Sequence, residues 1–136
     1  MKSSLIKSAC IVIAIIFVFN MLAYQFYWYT AITWFDMLMH TLGGLFLGLA
    51  SASLFSRQLV RRNTWQVAVI VLSWVIIIGF GWEVFEYVVQ FLIKGVHLAD
   101  IPDSISDMLC DIAGGIISCY FVLHAKKRYT IHNDNT

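Results

Sequence analysis

Four long apolar stretches alternate with short polar segments along the chain. They run over about residues 5–24, 35–55, 65–91 and 105–124. A bilayer core of about 30 Å needs roughly 20 apolar residues of helix, and each stretch meets that length. The pattern therefore predicts an all-α protein with a single integral membrane domain over residues 1–136, built as a bundle of four transmembrane helices.

The composition supports this prediction and excludes other classes of protein. Hydrophobic residues make up 60% of the chain and charged residues only 12%, whereas soluble domains are about half apolar and a quarter charged. The formal net charge is +1, and a nucleic-acid-binding protein would need a basic face. We therefore expect membrane lipids, and not nucleic acid, as the surroundings and partners of this protein.

Lysine and arginine lie almost entirely on one side of the four-span arrangement. Eight of the nine basic residues come before the first span, between the second and third spans, or after the fourth; Lys94 is the exception. Cytoplasmic segments of membrane proteins carry an excess of Lys and Arg. This distribution predicts that both termini lie in the cytoplasm.

The acidic residues are concentrated on the opposite side. Seven of the eight lie there: Asp36, Glu83, Glu86, Asp100, Asp103, Asp107 and Asp111. An ionised Asp near the bilayer centre costs about 2.5–3.5 kcal/mol even on the mildest scale, and such residues usually face a bundle interior and have a function. The acids inside the spans therefore predict a shared polar site in the outer leaflet.

A short polar motif occurs twice, about seventy residues apart. "DMLMHTLGG" begins at Asp36 and "DMLCDIAGG" begins at Asp107, and five of the nine positions are identical. The second and fourth spans both run inward, so these segments are parallel copies. The pattern predicts two helical hairpins related by a parallel pseudo-repeat, an arrangement in which sites form at the repeat interface.

Helical spacing indicates how the polar groups meet. Residues three or four apart share one face of a helix, which aligns Asp36 with His40, Glu83 with Glu86, and Asp107 with Asp111. Paired glycines follow three and four residues after His40 and after Asp111. Because small residues let membrane helices approach closely, we expect the second and fourth spans to cross tightly below the acidic cluster.

This cluster predicts a site for a divalent cation such as Mg, Mn, Fe or Zn. Several carboxylates beside one imidazole cannot all ionise in a low dielectric unless a cation neutralises them or some are protonated, and oxygen and imidazole donors suit these ions. The predicted ligands are Asp36, His40, Glu83, Glu86, Asp107 and Asp111. Of these, His40, Glu83 and Glu86 are also the candidate catalytic residues.

The order of these motifs resembles the YjdF-like family of small bacterial inner-membrane proteins. The motifs read "DMLMHTLGG", "WEVFE" and "DSISDMLCDIAGG" and extend from Asp36 to Gly115. More distantly, the pattern is similar to the VanZ-like proteins linked to glycopeptide-antibiotic tolerance, whose later motif commonly continues to Asn where this chain has Asp111. Both resemblances imply a multi-pass protein of the bacterial inner membrane, and neither names a reaction.

Three functions fit the sequence. The first is a hydrolase or transferase that acts at the outer leaflet on a lipid-linked envelope precursor, although Lys94 is the only nearby basic residue that could hold a phosphate. The second is a component of a cation or proton transporter, since intramembrane acids often form relays. The third is a non-catalytic envelope module whose polar core only fixes helix packing. The oligomeric state is open in all three.

Overall fold

The computed structural model describes residues 1–94 and 101–134, and every regular element in these ranges is a helix. The elements are α1 Lys2–Phe26, α2 Trp28–Ala31, α3 Phe35–Leu54, α4 Ser56–Leu59, α5 Thr64–Lys94 and α6 Ile101–Asp134. Asp100, predicted for the outer loop, lies outside the described residues.

Four of the helices are long and apolar enough to cross a membrane: α1, α3, α5 and α6. The predicted all-α architecture with four membrane helices is therefore confirmed. Helix α6 has 34 residues, which corresponds to about 50 Å and exceeds the thickness of the hydrocarbon core. It extends beyond the predicted span at both ends because helical geometry continues into the flanking polar residues.

An aromatic turn joins α1 to α3. Helix α1 is capped by Tyr27, whose N–H donates to the carbonyl of Ala23 and whose left-handed backbone (φ 57°) ends the helix. The following short helix α2 places Tyr29 edge-on against Phe35, with ring centroids 5.0 Å apart. The Tyr29 hydroxyl donates to Oδ1 of Asn20 at 3.1 Å. This turn therefore ties the C-terminal end of α1 to the start of α3.

The turn at the other end of the bundle is held by polar caps. The side chain of Asn63 accepts a hydrogen bond from the backbone N–H of Gln66 at 2.8 Å, which satisfies one of the free donors at the start of α5. The Lys126 ammonium of α6 donates to the carbonyl of Arg62. The basic residues of the two predicted inner segments are thereby brought together.

Helices α3 and α6 form the central pair of the bundle, and they run parallel. His40 contacts Asp107 and Asp111, and farther along both helices the backbone of Gly48 lies against Ser118. Contacts that advance in the same direction on both helices require parallel axes, as the repeated motif predicts. The two hairpins are not equivalent, because α5 also packs on α3 whereas α1 touches α6 only slightly.

The main apolar core lies at the basic end of the bundle. It contains side chains from the start of α1, the end of α3, α4, the start of α5 and the later part of α6, among them the fully buried Leu5, Leu49, Leu59, Val67, Val71 and Val122. The motif residues that begin α3 and α6 consequently lie at the opposite end, where the site is found.

Candidate functional site

Small residues allow the two motif helices to approach closely enough for their polar groups to meet. A Cβ atom at Gly44 would overlap the backbone carbonyl of Asp111, and one at Gly114 would overlap that of Thr41. The predicted tight crossing of the second and fourth spans is therefore present. It brings the start of α3, with Asp36 and His40, beside the second and third turns of α6, with Asp107 and Asp111.

His40 lies between the two aspartates of α6. Its Nε2 atom is 3.7 Å from Oδ2 of Asp107, and its Nδ1 atom is 3.5 Å from Oδ1 of Asp111. All three residues are buried, with 8%, 3% and 4% of their surfaces exposed, respectively. The imidazole is thus held at both nitrogens by carboxylates from the neighbouring helix.

Helix α5 contributes the remaining carboxylates. Glu83 and Glu86 are half-buried one turn apart, and both present an oxygen toward His40. The Oε1 atom of Glu83 is buried and has no hydrogen-bond partner among the described residues. An orphaned buried acceptor costs about 1–3 kcal/mol, and more when it is charged. This oxygen is therefore poised to accept a bond from a ligand or a water molecule.

Two groups of potential metal ligands share His40. Within the described part of the chain, one group is Asp36, His40 and Asp107, and the other is His40, Glu83 and Glu86; in each, the donor atoms lie within 4.8 Å of one another. Oxygen donors with one imidazole match the preferences of Mg, Mn, Fe and Zn. The donor set and the unpartnered Glu83 oxygen both fit a divalent cation.

Asp111 belongs to neither of these groups. One of its carboxylate oxygens would lie 2.6 Å from a Cβ atom at Gly79, so the side chain packs directly on the backbone of α5. Its other oxygen faces Nδ1 of His40. A carboxylate beside the second nitrogen of a metal-binding histidine commonly fixes the tautomer and orientation of that ring. Asp111 is therefore placed to orient the His40 ring, and its role as a direct ligand stays a prediction.

A cavity of about 560 Å³ adjoins the cluster, a size typical of small-molecule sites. Helices α1, α3 and α5 supply most of its wall, and Asp36, His40, Glu86, Asp103 and Asp111 all line it. Tyr29 lines the end of the cavity next to the aromatic turn. Burial, and then the negative charges of Asp36 and Glu86, raise the pKa of the Tyr29 phenol, which keeps its hydroxyl protonated as the donor to Asn20.

Comparison with known proteins gives one match that covers most of the chain. Residues 1–128 match the profile of the family described as "Predicted membrane protein (DUF2238)". The chain belongs to this family. The family description supports the membrane location predicted from the sequence and assigns no reaction, and it carries neither the YjdF-like nor the VanZ-like name. No curated protein and no solved structure match the chain.

Some residues that line the site were not among the candidate residues predicted from the sequence. Gly79 and Gln90 line the cavity together with Trp82 and Glu86. These residues are three or four apart along α5 and continue the Glu83–Glu86 stripe, so helical spacing could have predicted them. The Asn20–Tyr29 contact had no such signal, because it depends on how the aromatic turn folds back.

Proposed function

We propose that this family member is a cation-dependent hydrolase or transferase of the bacterial inner membrane, with its site in the outer leaflet. One observation carries the proposal: His40 is shared by two groups of carboxylates at the wall of a cavity. Such an arrangement combines a metal site with room for a substrate.

The charges support a bound cation. Five carboxylates surround a single imidazole, and His40, Asp107 and Asp111 are almost fully buried. Buried like charges repel one another strongly unless a counter-charge is present. A divalent cation held by Asp36, His40 and Asp107 would supply that charge and would polarise a substrate oxygen or activate a water molecule.

The two glutamates of α5 suit proton transfer. Glu86 lines the cavity and can therefore reach a bound substrate, while the free oxygen of Glu83 can accept a hydrogen bond from water. General acid–base catalysis requires a group of this kind within hydrogen-bonding reach of the reacting atoms. In this proposal, Glu86 exchanges the proton and Glu83 positions the water.

A cation or proton pathway is less well supported. Between the site and the basic end, the described core is apolar, and the buried hydroxyls of Ser51, Ser53 and Ser118 donate to carbonyls of their own helices. A relay requires a succession of polar or ionisable groups. The described residues offer no acidic or basic side chain in this core, whose one titratable group is the Cys119 thiol.

Metal content tests the proposal. The full-length protein in detergent is equilibrated with Mn²⁺ or Zn²⁺, freed of excess metal and subjected to elemental analysis. We expect one bound ion per chain, lost in His40→Ala, which removes the ligand common to both groups. His124→Ala is the matched control, since His124 stacks on Tyr120 away from the site and its loss should leave the metal content unchanged.

Two results would count against a metal-dependent enzyme. The first is wild-type protein that retains no ion after equilibration with Mg²⁺, Mn²⁺, Fe²⁺ or Zn²⁺. The second is full metal occupancy in His40→Ala. The non-catalytic module makes a separate prediction, because joint Asn and Gln replacement of the acids should then preserve function in correctly inserted protein.

A further inference from the structure

The cavity changes character along the bundle axis. Its outer half is lined by groups that form hydrogen bonds: Asn20, Tyr29, Asp36, His40, Glu86 and Gln90. Its inner half is lined by the apolar side chains Ile13, Ile16, Phe46, Leu47 and Ile78. From Asp36 to Leu47 the lining covers about 16 Å of helix α3. A molecule that fills this space must carry a polar end and an apolar tail.

The cavity also has a side that faces lipid. Helices α1 and α5 form two of its walls, yet within the described residues they do not pack closely on each other. Ile13 on one wall and Trp82 on the other line the cavity and are 41% and 50% exposed, so no described side chain fully covers either wall. A lipid tail can therefore pass between α1 and α5 without crossing water.

The charges of the outer half restrict the polar end of the molecule. No Lys or Arg side chain lines the cavity in the described part of the chain, whereas four acidic residues do. Ionised carboxylates accept hydrogen bonds and cannot donate them. Even beside one divalent cation, the four acidic residues of the lining leave an excess of negative charge, which a phosphate would increase, whereas a hydroxyl group donates to a carboxylate without adding charge.

We propose that this cavity binds a membrane lipid with an uncharged, hydroxyl-bearing headgroup. The headgroup lies beside His40 and Glu86, and an acyl chain occupies the apolar half between Ile16 and Leu47. This inference rests on the proposed function only for the statement that the bound lipid is the substrate. A site in the outer leaflet is compatible with many lipid-linked molecules, and this inference narrows them to neutral lipids.

Lipid binding to the full-length protein provides the test. Native mass spectrometry from detergent compares dioleoylglycerol with dioleoylphosphatidic acid and dioleoylphosphatidylethanolamine, which share acyl chains and differ in the headgroup. We expect dioleoylglycerol to bind at least about tenfold more tightly than either phospholipid, a difference of about 1.4 kcal/mol. Equal or tighter binding of either phospholipid would overturn the proposal.

A pair of variants on α1 locates the bound lipid. Ile16→Trp fills the apolar half and should weaken dioleoylglycerol binding about tenfold or more, whereas Ile15→Trp, one position along and outside the lining, should leave it unchanged. Equal effects of both variants would refute the assignment. If Ile16→Trp unfolds at a lower temperature than the wild type, Leu47→Phe narrows the same space with a smaller change and is judged by the same criterion.

Metal content, measured on the same samples, separates the two proposals. Selective dioleoylglycerol binding by protein that takes up no metal would overturn the proposed function and support the lipid site. Stoichiometric metal in protein that does not select dioleoylglycerol would overturn the lipid site and support the proposed function.

Discussion

Nδ1 of His40 on α3 lies 3.5 Å from Oδ1 of Asp111 on α6. This contact joins the two copies of the repeated motif, because Asp111 occupies in the second copy the position that His40 occupies in the first. One copy thus supplies the imidazole and the other the carboxylate that holds it. The two copies of the motif therefore differ at the position where they meet, and a basic residue faces an acidic one.

Asp111→Asn should weaken metal binding without unfolding the protein. The amide keeps the size of the carboxylate but loses the charge that orients His40, and loss of such an outer partner typically lowers metal affinity about 10–100-fold. Isothermal titration with Zn²⁺ measures the change. Asp103→Asn is the matched control, since Asp103 is an exposed residue of the cavity wall that belongs to neither described ligand group. Unchanged affinity in Asp111→Asn would exclude the orienting role.

Gly44→Ala should destabilise the bundle, because its Cβ would overlap the backbone of Asp111, which cannot move aside as a flexible side chain could. Overpacking of this kind costs about 1–3 kcal/mol. Gly81→Ala is the control, since no atom lies within 4 Å of the added Cβ and alanine favours helix by about 0.5–1 kcal/mol. In detergent, the unfolding temperature should fall in Gly44→Ala and rise slightly in Gly81→Ala. Equal unfolding temperatures of the two variants would contradict the close crossing.

Tyr29→Phe removes the hydroxyl that donates to Asn20 while keeping the ring against Phe35. We expect a loss of about 0.5–1.5 kcal/mol in the free energy of unfolding, the usual net value of one hydrogen bond. Tyr24→Phe, at a largely exposed tyrosine of the same helix end, should have no effect. The same unfolding assay compares the two variants. A loss of stability in Tyr24→Phe as large as that in Tyr29→Phe would show that the Asn20 contact contributes nothing specific.

The distribution of basic residues predicts the orientation of the bundle in the membrane. A green fluorescent protein fused after Thr136 should fluoresce in bacterial cells, and alkaline phosphatase at the same position should be inactive, because both reporters would lie in the cytoplasm. A phosphatase inserted after Lys94 should be active. Phosphatase activity at the C-terminus would show the opposite orientation, with the acidic site at the cytoplasmic face.

Much of the architecture could be predicted from periodic features of the chain. Apolar length alone gives the four spans, since a bilayer of fixed thickness demands about 20 residues per crossing. The repeated motif gives the parallel pairing of α3 and α6 and their close approach at Gly44 and Gly114. These features are local, because helical spacing and residue size are already present in the linear sequence.

The sequence by itself therefore determined the membrane helices, the segregation of acids from bases, and the six residues from which a site could form. Only the tertiary structure decided how these residues are grouped. Residues four apart on a helix share a face, but distances between helices depend on rotation and crossing, which packing at Gly44 and Gly79 sets. That packing places Asp111 against Gly79 and the second nitrogen of His40, outside the two candidate ligand groups. It also leaves α1 and α5 apart, and so creates a cavity that the linear pattern could not reveal.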